Sequence, residues 1–114
     1  ASLLARESLK KLNEENISPE IIDVRVLNPL SIDNIVSSVK KTKHLLVIDS
    51  GTLTGGFSAE LIAKVVENVP VGCLKKPPMR LALPDAPAPT SRILEKEYYL
   101  KTKDVLESVK KIIR

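Results

Sequence analysis

The chain has 114 residues, 43% of them apolar and 28% charged, with a mean hydropathy of +0.00, which is the size and balance of one globular domain with its own core. A single cysteine, Cys73, excludes an internal disulfide and a zinc site built on paired cysteines. No apolar run approaches the ~20 residues that cross a bilayer, and no signal-peptide pattern is present, so a cytoplasmic location away from membranes is expected. The net charge of +4 comes from 18 Lys and Arg against 14 Asp and Glu. Its densest points, Lys40-Lys41, Lys75-Lys76 and Lys110-Lys111, each sit beside apolar residues and read as a solvated rim. Phe57, Tyr98 and Tyr99 are the only aromatic residues, too few stacking platforms for a nucleic-acid binder.

In chain order, residues 2–15 read as a helix with Ala5, Leu9 and Leu12 on one face, closed by Asn16 and Pro19. Residues 21–27 alternate, Ile22, Val24 and Val26 against Asp23 and Arg25, the period of a strand. Ser31 is placed to cap a helix carrying Ile32, Ile35, Val36 and Val39. The apolar run 45–48, ending at Asp49, reads as a central parallel strand buried on both faces. A loop over 50–56 leads into a helix with Leu61, Ile62, Val65, Val66 and Val69 inward, closed by Pro70. A short strand is expected over 79–83, then an extended proline-rich segment, 84–91, along the domain surface. Thr102 is placed to cap a last helix with Val105, Val109 and Ile112 on one face. Alternating helices and strands predict an α/β layer fold with helices on both faces.

The stretch Asp49 to Gly56 joins a buried strand to a helix, where open parallel sheets bind ligands and helix N-termini favour anions. Gly55, Gly56 and Ser58 are therefore a candidate anion site. The stretch contains neither G-x-G-x-x-G nor Gly-Lys-Ser/Thr, so glycines serving a tight helix entry are the stronger reading. His44, the only histidine, has no acid nearby in sequence and reads as a polar strand-entry residue. Cys73 reads as a small packed hydrophobe, Glu95 and Glu97 as a solvated rim, and Asp23 and Arg25, on one strand face, as partners in an ion pair with each other or with a neighbour. The residues themselves assemble no catalytic or metal-ligating set; they describe a domain that binds or assembles.

Two stretches, IIDVRVLNPLSIDNIVSSVKKTKHLLVIDSGTLTGGFSAELIAKVVE and RLALPDAPAPTSRILEKEYYLKTKDVLESV, which carries an L-P-D-x-P-x-P-T-S phrase, cover residues 20 to 109. They resemble the C-terminal domain of the transketolase-like family, above all in the β subunit of the decarboxylating component of thiamine-diphosphate-dependent 2-oxo acid dehydrogenase complexes. The resemblance implies a three-layer α/β/α domain with a mostly parallel mixed sheet, residues 1–114 forming one such domain, a fragment of a longer subunit. It implies a non-catalytic assembly domain, with thiamine diphosphate and magnesium held elsewhere in the whole enzyme and no cofactor ligand in this chain. The implied partners are a second β subunit, the α subunit and the acyltransferase core. Alternatives are the same domain of a transketolase or deoxyxylulose-phosphate-synthase relative, and a regulatory module for a small anion or nucleotide. Ser50 stands where many relatives carry a second acid, Leu100-Lys101 replaces a proline-containing step, and Lys75 stands near a position where some relatives place an acid toward the acyltransferase.

An assembly domain exposes apolar surface, and Leu53, Phe57, Ile93, Tyr98 and Tyr99 are the candidate interface residues, with Lys75 and Lys76 for partner docking. The opening helix has no strand before it, whereas a right-handed crossover needs a strand on each side. Relatives carry an apolar strand there, central in the sheet. A cleft, a poorly paired gap or a foreign segment is therefore expected between residues 21–26 and 45–49.

Overall fold

A computed structural model describes residues 2–24, 31–84 and 99–113. The elements in order are α1 (Ser2–Glu14), α2 (Asp33–Thr42), β1 (Leu46–Thr52), α3 (Phe57–Glu67), β2 (Met79–Leu83) and α4 (Thr102–Ile113). β1 and β2 pair in parallel, Leu46 opposite Met79 and Ile48 opposite Leu81, joined by α3 as the crossover. Side chains alternate across this sheet, which sorts the core into two halves. Val47 joins Ile35 and Val39 of α2, Leu61 and Val65 of α3, and Cys73. Leu46, Ile48 and Leu81 face the other way, onto Leu12 of α1 and Val105 and Val109 of α4. The result is three layers, α2 and α3 over one face and α1 and α4 over the other.

The helix ends follow from local chemistry. Asn16 adopts φ 62 past the end of α1, with Ile17 N–H donating to the Leu12 carbonyl at 2.9 Å and Asn16 N–H to that of Asn13 at 3.1 Å. This is a Schellman closure with Ile17 packed on the Leu12 cluster. Two expected caps are replaced. Ser31 does not cap α2; the N-cap is Ile32, which uses no side-chain bond and whose carbonyl takes the Val36 N–H at 2.8 Å. At α4 the closure is made by Asp104, whose Oδ2 accepts the Lys101 N–H at 2.8 Å, so Thr102 lies inside the helix. The buried stripe of α1 includes Ser8, fully buried because its Oγ donates to the Leu4 carbonyl at 2.9 Å. Val66, expected inward, is 48% exposed.

The strand expected over 21–27 does not form over residues 21–24, which are irregular, with Ile21 and Ile22 exposed; residues 25–27, with Arg25, lie outside the described residues. The reason is the missing neighbour: strand amides need a ladder partner, and among the described residues β1 pairs only with β2. Between segment 17–24 and β1 lies a cleft of about 670 Å³, walled by Ile17, Ile22, Val24, Leu46 and Ile48 and bounded by residues of α2 and α4. Segment 17–24 is tied to α2 instead, Glu20 accepting hydrogen bonds from Ser38 Oγ at 2.5 Å and Lys41 Nζ at 2.7 Å.

Candidate functional site

Two ends of the parallel pair hold the residues of interest. At the carboxyl end, β1 runs past Asp49 to Thr52, its ladder resuming at Thr52 opposite Leu83 after an irregularity following Ile48. Asp49 organises the turn: Oδ1 accepts the Gly51 N–H at 2.9 Å and Oδ2 the Ser58 N–H at 3.0 Å. The second bond places a carboxylate on the first turn of α3, whose N-cap, Gly56, has no side chain to offer. Gly56 is obligatory, because a Cβ there would stand 2.2 Å from the Thr52 carbonyl oxygen. Gly55 has φ +71, the left-handed region glycine favours. Arg80 Nη1 of β2 donates to the Leu53 carbonyl at 2.8 Å and ties the loop down. Of the candidate anion residues, Gly55 and Gly56 are therefore occupied in building the entry. Ser58 gives its N–H to Asp49, while its fully buried Oγ has no hydrogen-bond partner among the described residues. An incoming anion would meet the Asp49 carboxylate at the same helix terminus. Sequence reasoning missed Asp49 as the distant cap of α3, although the signal was present: a helix entered through Gly-Gly must take its cap from elsewhere.

At the amino end, Lys43 closes α2 in the left-handed region with φ 66, donating its N–H to the Val39 carbonyl at 2.8 Å. Its own carbonyl accepts the Lys75 N–H at 3.0 Å, which brings exposed Lys75 and half-buried Lys76 beside the end of α2. His44 Nδ1 lies 2.8 Å from the Thr42 carbonyl, a bond it makes as donor, in keeping with a polar strand-entry residue. Cys73 is buried in the α2–α3 half of the core. Of the candidate interface residues, Leu53 is 36% and Tyr99 45% exposed, and Phe57 is half-buried against the core. Ile93 and Tyr98, like Glu95 and Glu97, lie outside the described residues, as does the 84–91 segment beyond Pro84.

The family described as "Transketolase, C-terminal domain" matches residues 3–105. The chain belongs to this family. Its curated relatives include the "Pyruvate dehydrogenase E1 component subunit beta" of Mesostigma viride, 36% identical over 107 residues, 94% of this chain and 32% of that protein. The mitochondrial protein of the same description from Bos taurus is 33% identical over 94% of this chain and 30% of its own length. That of Bacillus subtilis is 34% identical over 113 residues, 96% of this chain and 34% of the relative. The chain thus spans about a third of the length of the curated relatives it matches. A solved structure, "Split gene transketolase, inactive beta4 tetramer", shares the fold at TM-score 0.77 and 24% identity, over 97% of this chain and 35% of that one.

A diphosphate and its metal need a cluster of metal ligands and open amide donors. Among the described residues no three His, Cys, Asp or Glu side chains come together to hold a metal ion, and the entry from β1 to α3 carries a carboxylate where a diphosphate would need a donor. The described residues do not fit the pair. No helix among them is long and apolar enough to cross a membrane.

Proposed function

We propose that this transketolase C-terminal domain is the assembly domain of the β subunit of a thiamine-diphosphate-dependent 2-oxo acid dehydrogenase, acting in the cytoplasm. The whole enzyme would decarboxylate a 2-oxo acid oxidatively and pass the acyl group to a lipoyl carrier, with thiamine diphosphate and magnesium held outside this domain. Its partners would be a second β subunit, the α subunit and the acyltransferase core. The observation that carries the reading is the set of relatives described as pyruvate dehydrogenase β subunits, matched over almost all of this chain and about a third of theirs. Exposed Leu53 and Tyr99 supply apolar surface for subunit contacts, and Lys75 and Lys76 remain the proposed docking residues. The test is the full gene product mixed with its α partner, assayed for thiamine-diphosphate-dependent oxidation of 2-oxo acids. Ketol transfer between sugars in place of that oxidation would move the assignment to a transketolase relative. The anion-module alternative is disfavoured by the carboxylate of Asp49 on α3.

A further inference from the structure

We infer that Lys40, Lys43, Lys75 and Lys76 form a single basic docking surface for an acidic protein segment. Two segments distant in sequence build it. Lys40 lies in the last turn of α2 and Lys43 closes that helix, while the Lys75 N–H to Lys43 carbonyl bond lays the 73–78 strap against it. Helix spacing, one ladder-like bond and one peptide step place the four lysines along one continuous backbone path, each about 4–6 Å from the next. The backbone beneath is fixed from inside: Val39 and Cys73 are buried in the same cluster, and Met79 N–H donates to the Leu45 carbonyl at 3.0 Å, where the parallel ladder begins.

Among the described residues the charge has no acidic partner. Among the described residues the ion pairs are Lys41 with Glu20, Lys64 with Glu60, Lys103 with Glu107 and Lys110 with Glu15; none of the four clustered lysines has an acid. The carboxyl end of α2 offsets the lysines of its own last turn through the helix dipole, but Lys75 and Lys76 are on no helix and gain nothing comparable. Successive cations in this run lie within about one Debye length and act on an approaching partner together. Among the described residues no aromatic side chain belongs to α2 or to the 73–78 strap, so an acidic polypeptide fits the patch better than a nucleic acid. The inference rests on the assembly reading and adds the chemistry of one partner.

The test uses the full-length subunit and a fluorescent deca-glutamate peptide, followed by anisotropy. The triple variant K40E/K75E/K76E should weaken binding about tenfold or more. A control with the same charge change on exposed residues elsewhere, K10E/K11E/K111E, should stay within about twofold. Binding should weaken steeply between ~50 and ~200 mM salt. Equal losses in both variants would show a response to net charge alone and overturn the surface, as would tighter binding of duplex DNA of matched charge. Thermal melts of both variants check that each is folded. Lost 2-oxo acid oxidation with intact peptide binding would sink the assembly reading instead, so the two failures are distinguishable.

Discussion

The two ends of the β1–β2 pair handle charge in opposite ways. At the carboxyl end, where α/β domains commonly bind ligands, Asp49 meets the open amides of the turn and of α3, and the site is closed from within. At the amino end, four lysines gather around the 73–78 strap with no acid among the described residues to meet them. The position that fold geometry nominates for a ligand is thus the one the chain has filled itself. The charge left for a partner lies at the opposite end. Fold alone does not locate function; the hydrogen-bond and ion-pair accounts of each end do.

The sharpest way to break this contrast is Gly56→Ala. A Cβ 2.2 Å from the Thr52 carbonyl cannot be absorbed by a side-chain shift, so the turn must open, and urea unfolding should show a loss of about 3 kcal/mol. Asp49→Ala comes next. It leaves the Gly51 and Ser58 amides without their acceptor, a cost of about 1–2 kcal/mol by the same measurement. Inorganic phosphate should then raise the Tm of Asp49→Ala more than that of the unsubstituted protein, because only the variant has the α3 terminus open. An equal phosphate response in the two proteins would mean that Asp49 does not close the α3 terminus.

The layer architecture was legible because apolar periodicity is a local property: the stripe Ile35–Val39 of α2, the run through Val47, and Val105, Val109 and Ile112 of α4 all sit where their spacing puts them. Features that depend on distant partners were not legible. The alternation of Ile22 and Val24 reads as a strand, yet a strand exists only with a neighbour, and the cleft beside β1 supplies none. The gap itself was expected between residues 21–26 and 45–49, and a cleft lies there, between segment 17–24 and β1. Ser8 escaped because a buried serine is apolar in effect only after its hydroxyl finds the Leu4 carbonyl. The lysine surface was half legible: Lys75 and Lys76 stand out as a pair, but only the Lys75–Lys43 backbone bond shows that α2 contributes to the same surface.

Smaller effects sharpen the comparison further. Ser58→Ala removes a buried hydroxyl without a described partner, so it should be neutral or stabilising by up to about 1 kcal/mol. A marked loss would reveal a bond made by that hydroxyl. Lys75→Glu should shift stability by less than about 0.5 kcal/mol, because an exposed lysine without an ion pair contributes little to the fold.

The smallest effect is expected at the amino end, where Lys41, beside the four clustered lysines, pairs with Glu20 at the surface. Hydrogen bonds from Lys41 and then Ser38 hold the Glu20 carboxyl below its ordinary value of 4.5, and the bond to Glu20 raises Lys41 above 10.5. A carboxyl with a depressed folded value adds stability that is present above its ordinary value and lost as pH falls through the folded one; a raised lysine adds stability lost as pH rises through its folded value. The tie between segment 17–24 and α2 should therefore hold across neutral pH and loosen in acid below 4.5, and again in alkali above 10.5. Amide exchange at Ile21, Ile22 and Val24, corrected for the intrinsic pH dependence, should accelerate at the acid limit while that of Val47 does not, because both partners are exposed and the interaction is local. Glu20→Gln should abolish the acid step and leave the segment equally mobile at every pH. A persistent step in that variant would mean that another group tethers the segment.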